Sequence, residues 1–193
     1  MNLYSVFLKN LKIEKRIITE KYEYSYGQIH NFIENTSNII KKYKKNQKIF
    51  LVSSNFFSYL ILFYACSKLG KVFIPINNSL SKNQILSTCE FIKPDIIFFS
   101  DEFNFLKNYT KSNKIYPDNH FFQYPKKIDK TILVKRQQST KKYTDKDYIV
   151  TFSSGTTSLP KPILYTQKIK YNRYLHIKDI YKVNKDDNIL LTS

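Results

Sequence analysis

The sequence predicts an α/β fold in which a mostly parallel sheet carries helices on both faces. Apolar runs of strand length alternate with segments of helical spacing, which is the pattern of strands joined by covering helices. The runs IFLV at 49–52 and DIIFFS at 95–100 are apolar nearly throughout, as expected of strands buried on both faces. Hydrophobic residues make up 42% of the 193-residue chain, enough to bury a core, so disorder is excluded.

A long uncharged stretch, residues 49–66, first raises the alternative of a membrane span. It reads IFLVSSNFFSYLILFYAC and follows KKYKK, so its length and flanking charge both permit a transmembrane helix. The polar residues 53–55 divide it, however, and a spanning helix leaves the glycine and the second apolar run that follow unexplained. The run therefore predicts a strand and a helix, and no membrane span.

The same region predicts a strand–helix–strand unit. After the strand at 49–52, Ser54 or Asn55 is positioned to cap a helix over 56–69. Gly70 then stands where a helix C-cap glycine belongs, and VFIPI begins directly after Lys71 as the second strand. The intervening helix returns the chain to a parallel neighbour.

Weaker patterns predict the remaining elements. Lysines cluster at the end of the first predicted helix, Ser79 or Ser81 caps the next one, and Pro94 ends it. Segment 101–147 is polar and lysine-rich and is predicted to be a surface insertion or long connection with one short strand. In order, the predicted helices are 26–45, about 82–92 and 167–181, and the predicted strands are 72–76, 95–100, 131–134, 148–152, 163–166 and 188–192.

The formal net charge of +17 suggests an anionic partner: a nucleic acid, a membrane surface or an acidic ligand. The cations are almost all lysine, and Arg16, Arg136 and Arg173 lie far apart. Nucleic-acid-binding proteins concentrate arginine for bidentate contacts, so a charge spread over the solvated surface is favoured. A basic nucleic-acid-binding protein stays as an alternative, and no specific nucleic acid is expected as a partner.

The cysteines and histidines give no metal-site pattern. Cys66 and Cys89 have no second pair beside them, and His30, His120 and His176 lie far apart, so no metal ligand is predicted. The first fifteen residues lack the pattern of a secretory signal. Two isolated thiols without such a signal predict a cytoplasmic protein.

Residues 152–165 read FSSGTTSLPKPILY and place one of the three glycines of the chain among five hydroxyl residues. The loop follows a predicted strand, and ligands of open α/β sheets bind where strands end. Gly155 permits a tight turn, consecutive backbone N–H groups can bind an anion, and Lys161 adds a positive charge. The combination suits a polyphosphate, although an ordinary turn has the same composition.

A Walker A loop does not explain the segment. Gly155 and Lys161 have the required separation, but Pro160 occupies the position of the second glycine and Pro162 that of the magnesium-binding hydroxyl residue. The residues after Pro162 also predict a strand, whereas that motif continues into a helix.

SSGTTSLPK at 153–161 resembles the phosphate loop of adenylate-forming enzymes, whose usual form is TSGTTGxPKG. These enzymes include acyl-CoA synthetases, peptide-synthetase adenylation domains and luciferases. Residues 24–55 resemble the opening tract of the family, and residues 63–85 resemble its tract of helix, glycine, strand, proline and helix. The resemblance begins near Tyr24 and is weakest in 101–147.

The resemblance implies ATP-dependent activation of a carboxylic acid as an acyl-adenylate, followed by transfer to a thiol, often coenzyme A. It implies ATP and Mg²⁺ as cofactors. It also implies contacts to the β- and γ-phosphates from the loop residues Ser153, Ser154, Gly155, Thr156 and Thr157, with Lys161 supporting them.

The sequence departs from the family in two ways. Ser158 replaces the usual second loop glycine, and Pro162 replaces the glycine after the lysine. The second departure is one of length: residues 1–193 resemble only part of the large N-terminal domain, and the later segments and the C-terminal domain have no counterpart. We therefore expect a truncated or split enzyme that is inactive by itself, with a second chain as the source of the remainder; a non-catalytic remnant or binding module is the alternative.

Overall fold

The computed structural model describes residues 3–11, 16–18, 23–42, 47–109, 114–117, 148–153, 161–184 and 187. Its helices are α1 (Leu3–Lys9), α2 (Tyr26–Ile40), α3 (Phe56–Leu69), α4 (Lys82–Ile92), a 3-10 helix (Asp101–Asn108) and α5 (Gln167–Ile180). Its strands are β1 (Arg16–Ile18), β2 (Glu23–Ser25), β3 (Lys48–Val52), β4 (Val72–Ile76), β5 (Ile96–Phe99), β6 (Lys114–Pro117), β7 (Tyr148–Phe152) and β8 (Pro162–Thr166).

Six strands form one sheet in the order β6-β5-β3-β4-β7-β8. All neighbours are parallel except β7 and β8, which are antiparallel. β4 lies on one side of β3 and β5 on the other. The chain therefore adds β4 on one side and then crosses back over β3 to add β5, so the order of adding strands reverses at β3. This confirms the predicted mostly parallel sheet and places a topological switch point beside β3, the position at which open α/β sheets bind ligands.

Alternate residues of the strands face two separate cores, so helices cover both faces of the sheet. Ile49 and Leu51 of β3 pack with α1, α2 and α3 on one face. Phe50 and Val52 pack with α4 and the 3-10 helix on the other face. A strand whose side chains are buried in both directions has no polar face, which explains the unbroken apolar runs of the sequence.

The predicted strand–helix–strand unit is confirmed as β3–α3–β4. The Asn55 side chain accepts a hydrogen bond from the Phe57 N–H and so caps α3. Gly70 ends the helix at φ 63°, a left-handed conformation that a side chain would strain. No helix in the described part of the chain is long and apolar enough to cross a membrane.

Several predicted boundaries differ from the structure. α2 ends at Ile40 rather than 45, so the lysines follow the helix instead of lying in its last turn. α1, the β1–β2 hairpin, the 3-10 helix and β6 were not predicted. The predicted strands at 131–134 and 188–192 lie outside the described residues, and that most of 101–147 is a polar insertion stays a prediction.

Candidate functional site

The predicted phosphate loop lies at the tip of the β7–β8 hairpin. The two strands pair from Tyr148↔Thr166 to Phe152↔Pro162. Beyond the last pair, the Ser153 N–H donates a hydrogen bond of 3.0 Å to the Lys161 carbonyl oxygen. This bond closes the base of residues 154–160 and brings two of the predicted site residues, Ser153 and Lys161, together.

The other predicted site residues lie outside the described residues. They are Ser154, Gly155, Thr156 and Thr157, and their contacts with phosphate stay a prediction. Ser153 is half-buried, whereas the Lys161 side chain is exposed to solvent. The hairpin therefore presents a lysine at one arm of the loop and a hydroxyl at the other.

Ser153 and Lys161, which flank the predicted loop, lie at the carboxyl edge of the sheet. Because β3, β4, β5 and β7 are parallel, the residues that follow them meet at this edge. Each of these residues is polar: Ser53, Asn77, Ser100 and Ser153. The sheet thus changes from an apolar interior to hydrogen-bonding groups at one edge, as expected where a ligand binds.

A carboxylate, Glu102, lies at the same edge beside the switch point. Both the N–H and the hydroxyl of Ser54 donate hydrogen bonds to its Oε1 atom, the N–H at 3.3 Å. Burial raises the pKa of Glu102, but the hydrogen bonds, first that of the Ser54 hydroxyl, outweigh it and the pKa is lowered. The carboxylate is therefore ionised near neutral pH.

Glu102 is separated from the loop by β4. Ser54 follows β3, and Glu102 follows β5. β7 lies two strands from β3, so β3 and β7 are about 10 Å apart at the usual strand spacing. Glu102 and the base of the predicted loop therefore follow strands that are not neighbours in the sheet. The sequence analysis missed Glu102 because it placed the residue in the polar connection after β5.

A buried glutamine fixes the other end of the hairpin. Gln167 follows β8 directly and is 6% exposed. Its Oε1 atom accepts hydrogen bonds from the Leu3 N–H at 3.1 Å and the Ser67 hydroxyl at 2.5 Å, and its Nε2 donates to the Ser67 carbonyl at 3.2 Å. β8 is thereby tied to α1 and α3, so the hairpin is held at both ends.

Cys66, Cys89 and His30 do not contribute to this edge. Cys66 and Cys89 are both buried, and burial raises the pKa of Cys89 to about 12, so its thiol is protonated. His30 contacts the Tyr4 hydroxyl at 3.1 Å between two helices, which is a structural role. No group of three or more potential metal ligands occurs among the described residues.

The profile of the AMP-binding enzyme family matches residues 9–193. The chain belongs to the AMP-binding enzyme family. None of the curated protein sequences matches it significantly.

Solved structures share the fold of this chain at low sequence identity. The anthranilate CoA ligase AuaEII in complex with anthranoyl-AMP superposes with a TM-score of 0.69 at 18% identity, over 87% of this chain and 34% of its own. The inhibitor-bound N-terminal domain of FACL13 from Mycobacterium tuberculosis gives 0.67 at 14%, over 86% and 45%. VinN in complex with 3-methylaspartate gives 0.76 at 14%, over 95% and 52%.

These values show that the chain has the fold of the N-terminal part of AMP-binding enzymes. The chain spans between a third and about half of the length of these structures, 34–52%. The matched part includes the β7–β8 hairpin, since the family profile extends from residue 9 through the loop to residue 193.

Proposed function

We propose that this chain supplies the phosphate-binding loop for ATP-dependent activation of a carboxylic acid. The observation that carries the proposal is the hydrogen bond from the Ser153 N–H to the Lys161 carbonyl oxygen. It lies at the carboxyl edge of the sheet, where open α/β sheets bind ligands, in a chain of the AMP-binding enzyme family. The match over residues 9–193 supports the family chemistry, and the loop composition supports its polyphosphate substrate.

In the proposed reaction, a carboxylate oxygen attacks the α-phosphorus of ATP. The bond from that phosphorus to the β-phosphate bridging oxygen breaks, which gives acyl-adenylate and pyrophosphate. A thiol, coenzyme A in the simplest case, then attacks the acyl carbon and releases AMP as the thiol proton is lost. Negative charge grows on the departing pyrophosphate, so donors placed around it lower the barrier.

The loop residues are assigned to that pyrophosphate. The hydroxyls of Ser153, Ser154, Thr156 and Thr157 and the N–H groups around Gly155 donate hydrogen bonds to the β- and γ-phosphates. The Lys161 ammonium, which the structure leaves exposed at the loop base, neutralises part of their charge. These groups bind and orient the triphosphate, and no proton transfer is assigned to them.

Mg²⁺, when bound, would neutralise part of the phosphate charge. The described residues hold no cluster of three ligands for it. We assign no Mg²⁺ ligand among the described residues, and we assign the acyl pocket to the remaining part of the enzyme. A separate second chain is the proposed source of that part.

The test is ATP–pyrophosphate exchange by the chain combined with the polypeptide that completes the domain. Lys161→Ala and Thr156→Ala are each expected to lower the exchange rate roughly 100-fold, as loss of one transition-state donor does. Lys107→Ala, another exposed lysine, is the matched control and should leave the rate unchanged. Unchanged exchange in both loop variants would refute the assignment.

A second candidate function is phosphate binding without catalysis. It is favoured by the groups at the base of the loop, a hydroxyl and an ammonium, which support phosphate binding as such. Residues 1–193 alone are expected to catalyse no exchange under either hypothesis. If no exchange appears with the completing polypeptide either, while ATP still binds, the chain is a binding module.

A further inference from the structure

Gln167 is the one buried residue in the last long segment that the structure describes. Over residues 161–184, every other residue is exposed or half-buried, whereas Gln167 is 6% exposed. The apolar residues Ile163 and Leu164 of β8 are 39% and 62% exposed. The buried anchor of this segment is therefore a polar side chain rather than an apolar one.

Burial of apolar side chains does not fix the register of β8. A register is well specified where one face of a strand is buried, because a slip of one residue moves every side chain to the other face. Ile163 and Leu164 lie on opposite faces of β8, and both are exposed. The seven residues 154–160 are also too many for the tight turn that fixes the register of a short hairpin.

The hydrogen bonds of Gln167 are specific for one register. Its Oε1 atom accepts from the Leu3 N–H at 3.1 Å and from the Ser67 hydroxyl at 2.5 Å, and its Nε2 donates to the Ser67 carbonyl at 3.2 Å. The Ser67 hydroxyl oxygen accepts from the Tyr4 N–H at 3.2 Å, which ties α1 to the same contact. A slip of one residue would remove the glutamine from these buried groups and leave them unsatisfied, which is costly.

The register of β8 decides where the lysine of the loop lies. Lys161 directly precedes β8, and its carbonyl oxygen accepts the hydrogen bond from the Ser153 N–H at the base of the loop. A slip of one residue would move Lys161 by about 3.3 Å along the strand and turn its side chain to the other face. Gln167 lies about 20 Å from Lys161 along an extended strand, so it acts on the loop through β8.

We propose that Gln167 is a positioning residue that sets the register of β8 and thereby places Lys161 for phosphate binding. The inference rests on the proposed function, which assigns the triphosphate to the loop. Gln167 itself lies at the amino edge of the sheet, beyond the pair Tyr148↔Thr166, and has no contact with the phosphate. The Leu3 N–H is one of its partners, so α1 contributes to the placement of the loop.

The first test is the dissociation constant of Mg·ATP for the full chain and its variants. Gln167→Ala is expected to weaken binding about tenfold, the effect of one lost charge-assisted hydrogen bond. Ile85→Val trims a side chain of α4 that is 1% exposed and should bind as the unmodified chain does, which controls for a general loss of stability. Ser67→Ala removes one donor to Oε1 and should weaken binding about threefold, so it decides the matter if Gln167→Ala does not fold.

A disulfide between β7 and β8 separates the register from a general structural role. Ser153 and Lys161 form a hydrogen-bonded position of the hairpin, and such positions alternate with positions that are not hydrogen bonded. Val150 and Leu164, three pairs away, are therefore a pair of the second kind. Their Cα atoms are about 4.5 Å apart in that geometry, which is within the range of a disulfide.

Oxidation of this pair should restore what Gln167→Ala removes. The chain with Gln167→Ala, Val150→Cys and Leu164→Cys should bind Mg·ATP weakly when reduced, and within about threefold of the unmodified chain when oxidised. The same cysteine pair with Gln167 retained is the control and should bind equally in both states. Cys66 and Cys89 are buried and so do not compete for the disulfide.

The outcomes separate this inference from the proposed function. Unchanged affinity in Gln167→Ala, or oxidation that restores nothing, overturns the positioning role. If the unmodified chain does not bind Mg·ATP, the proposed function fails, and the register is read without ligand. An NOE between the Hα protons of Val150 and Leu164 should be present in the unmodified chain and lost in Gln167→Ala, because these protons face each other only in this register. An NOE that is retained overturns the inference.

Discussion

β3 and β8 belong to the same sheet and have similarly apolar sequences, but their surroundings are opposite. Ile49, Phe50 and Val52 of β3 are fully buried between helices on both faces. In β8, by contrast, Ile163 is 39% and Leu164 62% exposed. The comparison teaches that an apolar run identifies a strand, but only the neighbouring elements decide whether its side chains are buried or exposed.

The largest expected effect on the free energy of unfolding comes from replacing one side chain by alanine in the buried strands and one in β8. Phe98→Ala in β5, beside β3, removes a fully buried ring and should lower the free energy of unfolding by about 3–5 kcal/mol. Leu164→Ala in β8 should change it by less than about 0.5 kcal/mol. Urea denaturation of both variants measures this contrast, and equal losses would contradict it.

A smaller loss of stability is expected when the contact of Gln167 with α1 and α3 is removed. Gln167→Ala leaves the Leu3 N–H and the Ser67 carbonyl without their buried partner, which should cost about 1–3 kcal/mol. Lys168→Ala, the next residue of α5 and an exposed one, is the control and should cost less than about 0.5 kcal/mol. Thermal denaturation measures both, and hydrogen exchange of the α5 amides should accelerate only in Gln167→Ala.

The smallest expected effect is a pH dependence of stability that comes from His30 and Glu34. Burial lowers the pKa of His30, with a further contribution from Lys68 that Glu34 opposes. Burial raises the pKa of Glu34, but hydrogen bonds from Lys68 and the Tyr4 hydroxyl outweigh it and the pKa is lowered. Both groups are therefore harder to protonate in the folded chain.

The sign of the pH dependence follows from these directions. A group whose folded pKa is lowered stabilises the fold above its unfolded pKa, and this stabilisation is lost as the pH falls through the folded pKa. Unfolding temperature should thus decrease as the pH falls below about 6.5, first through His30 and then through Glu34. The double variant His30→Gln, Glu34→Gln should show a flatter profile, and an unchanged profile would contradict the assignment.

The sequence predicted the elements whose signals are local. The caps of α3, the left-handed Gly70 and the capping serine of α4, which is Ser81, are each decided by a few adjacent residues. α1 has only seven residues and depends on packing of its apolar side chains against α3, which no local pattern reveals. The three-residue strands β1 and β2 are stabilised by their own pairing and are equally hard to recognise.

The role of the candidate site in phosphate binding stays a prediction, but the structure shows which of its residues a local pattern could single out. The loop composition alone identified Ser153 and Lys161, which the hairpin then brings together. Glu102 and Gln167 were missed because their importance comes from contacts across 48 and 100 positions of the chain, to Ser54 and Ser67. Only the folded sheet edge and the packed helices bring these residues together.

The most direct test of the central claim is titration of isotopically labelled chain with Mg·ATP, monitored through backbone amide NMR shifts. The account predicts saturable shifts at the amides of residues 153–161, which are lost in Lys161→Ala and retained in Lys107→Ala. Shifts that spread over the lysine-rich surface without a maximum at the loop would contradict it. That result would return the chain to the alternative of a basic protein that binds polyanions through its net charge.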